Sequence, residues 1–477
     1  MKGSRHVPFE SAFTARVAAH PRVAYYRLPD TMCPGFVLVV VDEILVGARA
    51  GGDPKVQSAL EQQGAIPTEV TLFDVEDAPE ENISVWRLKS TPGNRANPDV
   101  ARAVWSVRAE LPSDIRPGEV APNHVLVPAA NFHSCPWGPP EESGSPAHWA
   151  PSRDGRVKAV VIDSGYIETG PLVPPLVDVG YGRWFTGGPT GAAPYRWVPE
   201  TAAPPGVNPL DQDGNGRLDA LVGHANFAAG VLAQACSDAR ITVVSHNGAF
   251  VDSDDSDTPI PTEASVARSL WEHRDADVIN VGFAFPTLPN IALAGDGTDP
   301  WPSPPSWTFE VVIRALLGSV EETGRPMIVA PAGNQDCPTP QYPAAFGGPD
   351  FDYPNVAGVA SIRAGAIRSP FSNYGPWVAC STEGEDVVSS FIDNWVGPTE
   401  EAEVTLAGTP GTHPIKHFTS GWAAWTGTSF AAPKIAGAIA AGAAAGSSPL
   451  AAWQALQAQY GAPRPEIGIP MPGLPPA

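Results

Sequence analysis

Beyond Arg156 the chain alternates short runs that are apolar at almost every position with longer runs of helical period. "VKAVVID" comes before "FAAGVLAQAC", "ARITVVSH" before "EASVARSLWEHR", and "ADVINVGFAF" before "TFEVVIRALLGSVEETG". "PMIVAPAG" and "VAGVASI" lead to the small-residue run "SFAAPKIAGAIAAGAAAG". A strand that is apolar on both faces has no side to offer water, so it belongs in a sheet covered twice. Strands alternating with helices meet that demand as a parallel sheet with helices on both faces. The expected fold over residues 156–460 is therefore α/β.

The chain before it reads differently. Residues 1–130 form an expected small α+β domain. In it "GFVLVVVDEILVGA" suggests two strands around a turn, "KVQSALEQQG" a helix ending at Gly64, "ISVWRLK" a strand, "PDVARAVWSVRAEL" a helix and "NHVLVP" a last strand. A linker rich in Pro and Gly is expected over 131–155, and residues 461–477 read as an extended, proline-rich tail. The chain shows no internal repeat. Its 55 prolines are about double the usual share, which favours long ordered loops.

Charge narrows the partners. Lys plus Arg number 29 against 51 Asp plus Glu, so the formal charge is 29 − 51 = −22. Such a chain repels phosphate backbones, which argues against nucleic acid and favours cationic peptides. The run "FVLVVV" is too short to span a bilayer, and the first residues carry no apolar signal core. No membrane partner and a cytoplasmic location are the expectations. The five cysteines are widely spaced with no CxxC pair, so buried free thiols are expected rather than a zinc site.

In parallel α/β sheets, chemistry collects at the carboxyl ends of strands. Asp163 closes "VVIDSG", His224 opens the helix of "LVGHANFAAGVL", Asn334 follows a strand in "APAGNQ", and Ser429 heads the helix of "WTGTSFAAPKIAG". Taken singly, each has a plainer reading: a turn Asp, a helix-end His, an Asn in a left-handed turn, a Ser N-cap. Pro433 reads as a first-turn proline, where its missing N–H is harmless. Taken together, the four make a possible acyl-transfer set. A Ser hydroxyl needs a base, a His can take its proton, an Asp can hold the imidazole, and an amide with a backbone N–H can stabilise an oxyanion.

The motifs "DSG", His with "AG" five and six residues on, "AGN" and "GTSFAAP", in the order Asp, His, Asn, Ser, resemble the subtilisin-like serine proteases, the subtilases. The resemblance runs from about Lys158 to Ala445, with echoes at "YPA" (342–344) and "FSNYG" (371–375). It implies that Asp163 orients His224, His224 acts as base, Ser429 attacks and Asn334 completes an oxyanion hole. It also implies that peptide substrates add as a strand along Gly282, Phe283 and Ala284 and lie near Ala332 and Gly333. Ala225 and Asn226 stand where the family has Gly-Thr, and Phe283 is expected to narrow the pocket. The N-terminal domain resembles a subtilase propeptide, an inhibitor of its own enzyme, with processing expected between Val127 and Pro151. The alternatives are a dedicated processing protease with one target, regulated by that domain, and a silent peptide-binding pseudoprotease. No cofactor is required by this chemistry. "DQDGNGRLD" places Asp211, Asp213, Asn215 and Asp219 at calcium-loop positions, but Val222 stands where a Glu ligand belongs. A plain turn is the favoured reading there, with Ca²⁺ the alternative.

Overall fold

The computed structural model describes residues 22–27, 36–72, 82–89, 99–128, 140–146, 155–164, 177–180, 218, 222–246, 261–289, 304–319, 324–397 and 416–474. The N-terminal part comprises β1 (Val23–Arg27), β2 (Phe36–Gly47), α1 (Pro54–Gln62), β3 (Ala65–Thr71), β4 (Ile83–Leu88), α2 (Asp99–Ala109), β5 (Val120–His124) and the short β6 (Val127–Pro128). Its sheet runs β1-β2-β4-β3 with β5 also on β2, and the succession β2-α1-β3-β4-α2-β5 is a ferredoxin-like plan. Helix α1 starts where it does because the Asp53 carboxylate accepts from the Lys55 and Val56 amides, with Pro54 at the first helical position. It stops before Gly64, which takes φ +80°.

Strand β2 is continuous where the sequence suggests a turn. Its pairing with β5 shifts register between Val39 and Ile44, so Asp42 and Glu43 sit in a bulge rather than a hairpin. Buried Glu43 is held there by Arg22, Arg87 and Asn123. The period-2 alternation then sorts side chains by face. Ile44 and Val46 pack under α1 and α2, whereas Leu45, Ile83 and Val85 enter a different core.

That other core belongs to the second part of the chain. Its strands are β7 (Glu141–Glu142), β8 (Val157–Asp163), β9 (Val177–Gly180), β10 (Ala239–Ser245), β11 (Val278–Val281), β12 (Phe283–Ala284), β13 (Met327–Pro331), β14 (Val356–Arg363), β15 (Ile367–Arg368), β16 (Cys380–Glu383), β17 (Val387–Ser390), β18 (Trp395–Gly397), β19 (Lys416–Phe418), β20 (Trp422–Trp425) and β21 (Ile469–Pro470). Its helices are α3 (His224–Ala235), α4 (Glu263–Glu272), α5 (Trp307–Ser319), α6 (Thr428–Ala444) and α7 (Pro449–Tyr460). The main sheet is ordered β21-β16-β14-β13-β11-β8-β10-β9 and every pair along it is parallel. Helices α3, α6 and α7 cover one face and α4 and α5 the other. This is the α/β architecture that the alternating pattern implies. Among the described residues, no single helix is long and apolar enough to cross a membrane.

"ADVINVGFAF" is not one strand. It breaks at Gly282 into β11, inside the main sheet, and β12, which leaves it to pair with β6. The proline-rich end of the chain is extended and also packed: β21 borders β16, and Ile469, Met471 and Leu474 are buried with α6 and α7. Cys236 and Cys380 are buried free thiols, but Cys337 is disulfide-bonded, which corrects the all-thiol reading.

The two parts share one apolar cluster. Leu45, Leu72, Ile83, Val85 and Leu126 from the first pack with Ala264, Val266, Trp307, Phe309 and Val312 from α4 and α5. Polar contacts are threaded through it. His124 Nδ1 lies 2.5 Å from a Glu263 oxygen, Ser306 donates to the other oxygen, and the Leu288 amide donates to His124 Nε2 at 3.0 Å. Because Nε2 accepts, the imidazole carries its proton on Nδ1 and is neutral. At the rim, Arg116 bonds Glu310 at 2.9 Å and the Trp105 indole donates to the Pro289 carbonyl at 3.0 Å.

Candidate active site

The carboxyl ends of β8, β11 and β13 lie side by side, and the parallel order brings their following residues to one edge. Asp163 ends β8. Its Oδ1 accepts from the Ser164 amide at 2.6 Å and meets His224 Nδ1 at 2.7 Å. Both side chains are wholly buried. The carboxylate's second oxygen has no hydrogen-bond partner among the described residues and faces Gly282, where a Cβ would sit 2.0 Å from it. The break between β11 and β12 is thus the place where the chain must be bare to let the carboxylate in.

His224 is the first residue of α3. The preceding Gly223 takes φ +85°, a conformation that favours glycine and lets the helix start abruptly under the ring. The imidazole is walled by Trp425 and Phe430, with ring centroids 5.8 and 5.3 Å away. Ala225 and Asn226 are both buried in α3. The Asn226 and Phe227 carbonyls accept from the Ser390 and Ser389 hydroxyls, both at 2.8 Å, so β17 ties down the helix. Gly230 allows the approach, since a Cβ there would lie 2.3 Å from both hydroxyls.

Ser429 is the second residue of α6, whose small residues let it press on α3: a Cβ on Gly437 would meet Ala235 Cβ at 2.3 Å. Pro433 lies inside this helix rather than in its first turn. Its missing N–H leaves the Ser429 carbonyl without its i+4 donor, a cost that an N-terminal proline would avoid. Among the described residues neither Ser429 Oγ nor His224 Nε2 finds a hydrogen-bond partner, and both are buried. Such contacts are often loose until a substrate is seated.

Asn334 is placed by α6. Its Oδ1 accepts from the Thr428 amide and hydroxyl, each at 2.8 Å, which fixes the carboxamide and turns its donor nitrogen the other way. The loop carrying Ala332, Gly333 and Asn334 is pinned from behind by buried Asn373. That side chain donates to the Ala332 carbonyl and accepts from the Gln335 and Cys337 amides. Asn373 lies in "FSNYG", but no local pattern says what an Asn does there, so the sequence hides its part.

Residues 211–458, just over half of the chain, match the model of the subtilase family. The chain belongs to that family. The protein is therefore a serine endopeptidase, a hydrolase of peptide bonds, and its substrates are proteins or peptides. Among solved structures, it is similar to a cold-adapted subtilisin-like serine proteinase, with 17% identity over 68% of this chain and 89% of that one at a TM-score of 0.39. A lanthipeptide protease matches with 16% identity over 67% of this chain and 86% of its own, at a TM-score of 0.44.

The protease's strand edge is already engaged. β12 pairs antiparallel with β6, Phe283 against Pro128 and Ala284 against Val127. Phe283 is fully buried, edge-on to the His246 ring at 5.9 Å. The calcium-loop candidates Asp211, Asp213, Asn215 and Asp219 lie outside the described residues. Among the described residues no group of three His, Cys, Asp or Glu is placed to hold a metal.

Proposed function

We propose that Ser429, His224 and Asp163 carry out acyl transfer, with Asn334 and backbone amides at the start of α6 as oxyanion donors. The observation that supports this best is the buried 2.7 Å contact between His224 Nδ1 and Asp163. It fixes the tautomer, so Nε2 is the nitrogen left to accept a proton. Ser429 Oγ attacks the substrate carbonyl as its proton passes to Nε2. The tetrahedral oxyanion takes hydrogen bonds from Asn334, the His⁺ gives its proton to the departing amine, and water then cleaves the acyl-enzyme by the same route.

The N-terminal domain is proposed to be an inhibitor that the enzyme removes from itself. β6 lies along β12, the edge where a peptide substrate would add as a strand. The test is fluorophosphonate labelling with intact-mass analysis of wild type beside Ser429→Ala. Labelled, shortened wild type and unlabelled, full-length variant are the expected results. An absence of labelling would defeat the acyl-transfer assignment, and equal masses would defeat self-processing.

A further inference from the structure

Strand β11 carries one polar side chain, Asn280. It is 1% exposed, and neither its amide oxygen nor its amide nitrogen finds a hydrogen-bond partner among the described residues. The alternation of the strand sets its direction. Ile279 and Val281 pack with α4 and α5, so Asn280 points with Val278 to the face that α3 and α6 cover. Its register partners there, Val161 on β8 and Val329 on β13, both belong to the apolar cluster of that face. A buried amide without partners costs free energy, and a valine like its two neighbours would avoid the cost. The groups one pleat higher give the amide a task. Gly282, two residues on, faces Asp163 Oδ2, the carboxylate oxygen that also finds no partner among the described residues. An unpaired donor and an unpaired acceptor thus share one face of the sheet. Positions two residues apart on a strand are separated by about 6.6–6.8 Å. The Asn280 side chain covers part of that distance, and the rest is too long for a direct hydrogen bond but suits one water between the two groups. Such internal waters settle where buried polar groups lack partners, and α3 and α6 offer this cluster only the small Ala225, Ala228, Ala431 and Ala432 nearby in the chain to His224 and Ser429.

We propose that Asn280 is a positioning residue of the catalytic centre: its amide donates to a buried water, and that water donates to Asp163 Oδ2. This rests on the acyl-transfer reading above. Asp163 Oδ1 already takes the Ser164 amide and meets His224 Nδ1. With Oδ2 also held, the carboxylate cannot turn about its Cβ–Cγ bond, and the imidazole keeps its angle toward Ser429. No proton passes through Asn280. The amide fixes the acceptor, and the acceptor fixes the base. Losing this hold leaves the Oδ1 contact in place, so the expected loss of rate lies between about tenfold and the roughly 10⁴-fold that follows when the tautomer itself is lost.

The experiment compares Asn280→Val with Asn280→Thr, two β-branched residues of nearly one shape that differ by the hydroxyl able to hold the water. Wild type and both variants are reacted with a fluorophosphonate probe, and intact mass ensures that chains of one length are compared. The maximal labelling rate of the valine variant should fall at least tenfold below wild type, the half-saturating probe concentration should stay put, and threonine should recover most of the lost rate. Urea midpoints of the two variants should agree, because the threonine hydroxyl then has a partner. A valine variant as fast as the threonine variant, or a threonine variant both slower and less stable than valine, overturns the positioning role and leaves the acyl-transfer reading standing. No labelling of wild type overturns both. Should either variant fail to fold, a high-resolution crystal structure of the Ser429→Ala chain decides: one ordered water bonded to both Asn280 and Asp163 Oδ2 is expected, and its absence overturns the proposal.

Discussion

Replacing Gly282 by Ala tests the geometry at its tightest point. A Cβ there would lie 2.0 Å from Asp163 Oδ2 and 2.8 Å from Cγ, with the Ile162 carbonyl at 3.2 Å. Ordinary contact needs about 3.4 Å, so the carboxylate must retreat by more than about 1 Å or rotate away from His224. Gly282 does not have the left-handed backbone that would penalise alanine, so the effect is steric. Overpacking of this kind costs about 1–3 kcal/mol in stability. The larger effect falls on rate. A misplacement of about 1 Å costs roughly 10²-fold, and loss of the Asp-set tautomer about 10⁴-fold, so kcat should fall between those bounds. KM should change little, because Gly282 still offers its backbone to substrate. Peptide hydrolysis by processed enzyme gives kcat, and a double variant with Asp163→Asn gives the coupling: once the carboxylate is gone, Gly282→Ala should add little further loss. A Gly282→Ala enzyme with wild-type kcat, or one whose loss simply adds to that of Asp163→Asn, would refute the reasoning.

Three further outcomes follow from the same contacts. Asn334→Ala should lower kcat by about 10²–10³-fold, whereas Thr428→Val, which keeps the amide bond to Asn334 but removes the hydroxyl bond, should lose only about tenfold. Equal losses in steady-state kinetics would contradict the division. In the Ser429→Ala full-length protein, Glu263→Ala should cost about 1–3 kcal/mol because it leaves the buried Nδ1–H of neutral His124 unpaired, but Arg116→Ala, more than half exposed at its pair with Glu310, should cost under about 1 kcal/mol. Urea midpoints check this order. Burial pulls His246 down to about 3, with the nearby His273 adding to the effect. The fold therefore holds a neutral ring whose stabilisation is complete above about pH 6.5 and is lost as pH falls toward 3, since the unfolded chain takes the proton first. The acid slope of stability should shrink in Ser429→Ala/His246→Phe relative to Ser429→Ala, and an unchanged slope would reject that assignment.

The amino-acid sequence by itself determined the architecture and the four candidate residues. Runs apolar on both faces admit only a doubly covered sheet, and the parallel order that follows puts strand ends on one edge. "GTSFAAP" is local in the chain because a helix start, a turn and a hydroxyl are made by neighbours, so it is legible without a fold. Tertiary structure alone decided the rest, because those features join residues far apart. Gly282 reads only as part of a substrate strand until Asp163, 119 positions earlier, occupies the space its side chain would need. Asn373 has no role that its neighbours in the chain reveal until the loop of Asn334 folds onto it. Asp42 and Glu43 read as a turn because isolated carboxylates favour water, and became part of a strand only when Arg22, Arg87 and Asn123 closed around Glu43. The docking of β6 on β12 is the extreme case. Two residues of backbone pairing carry no composition signal, so only the packed sheet of the first domain against α4 and α5 could bring that strand to the edge beside Asp163 and His224.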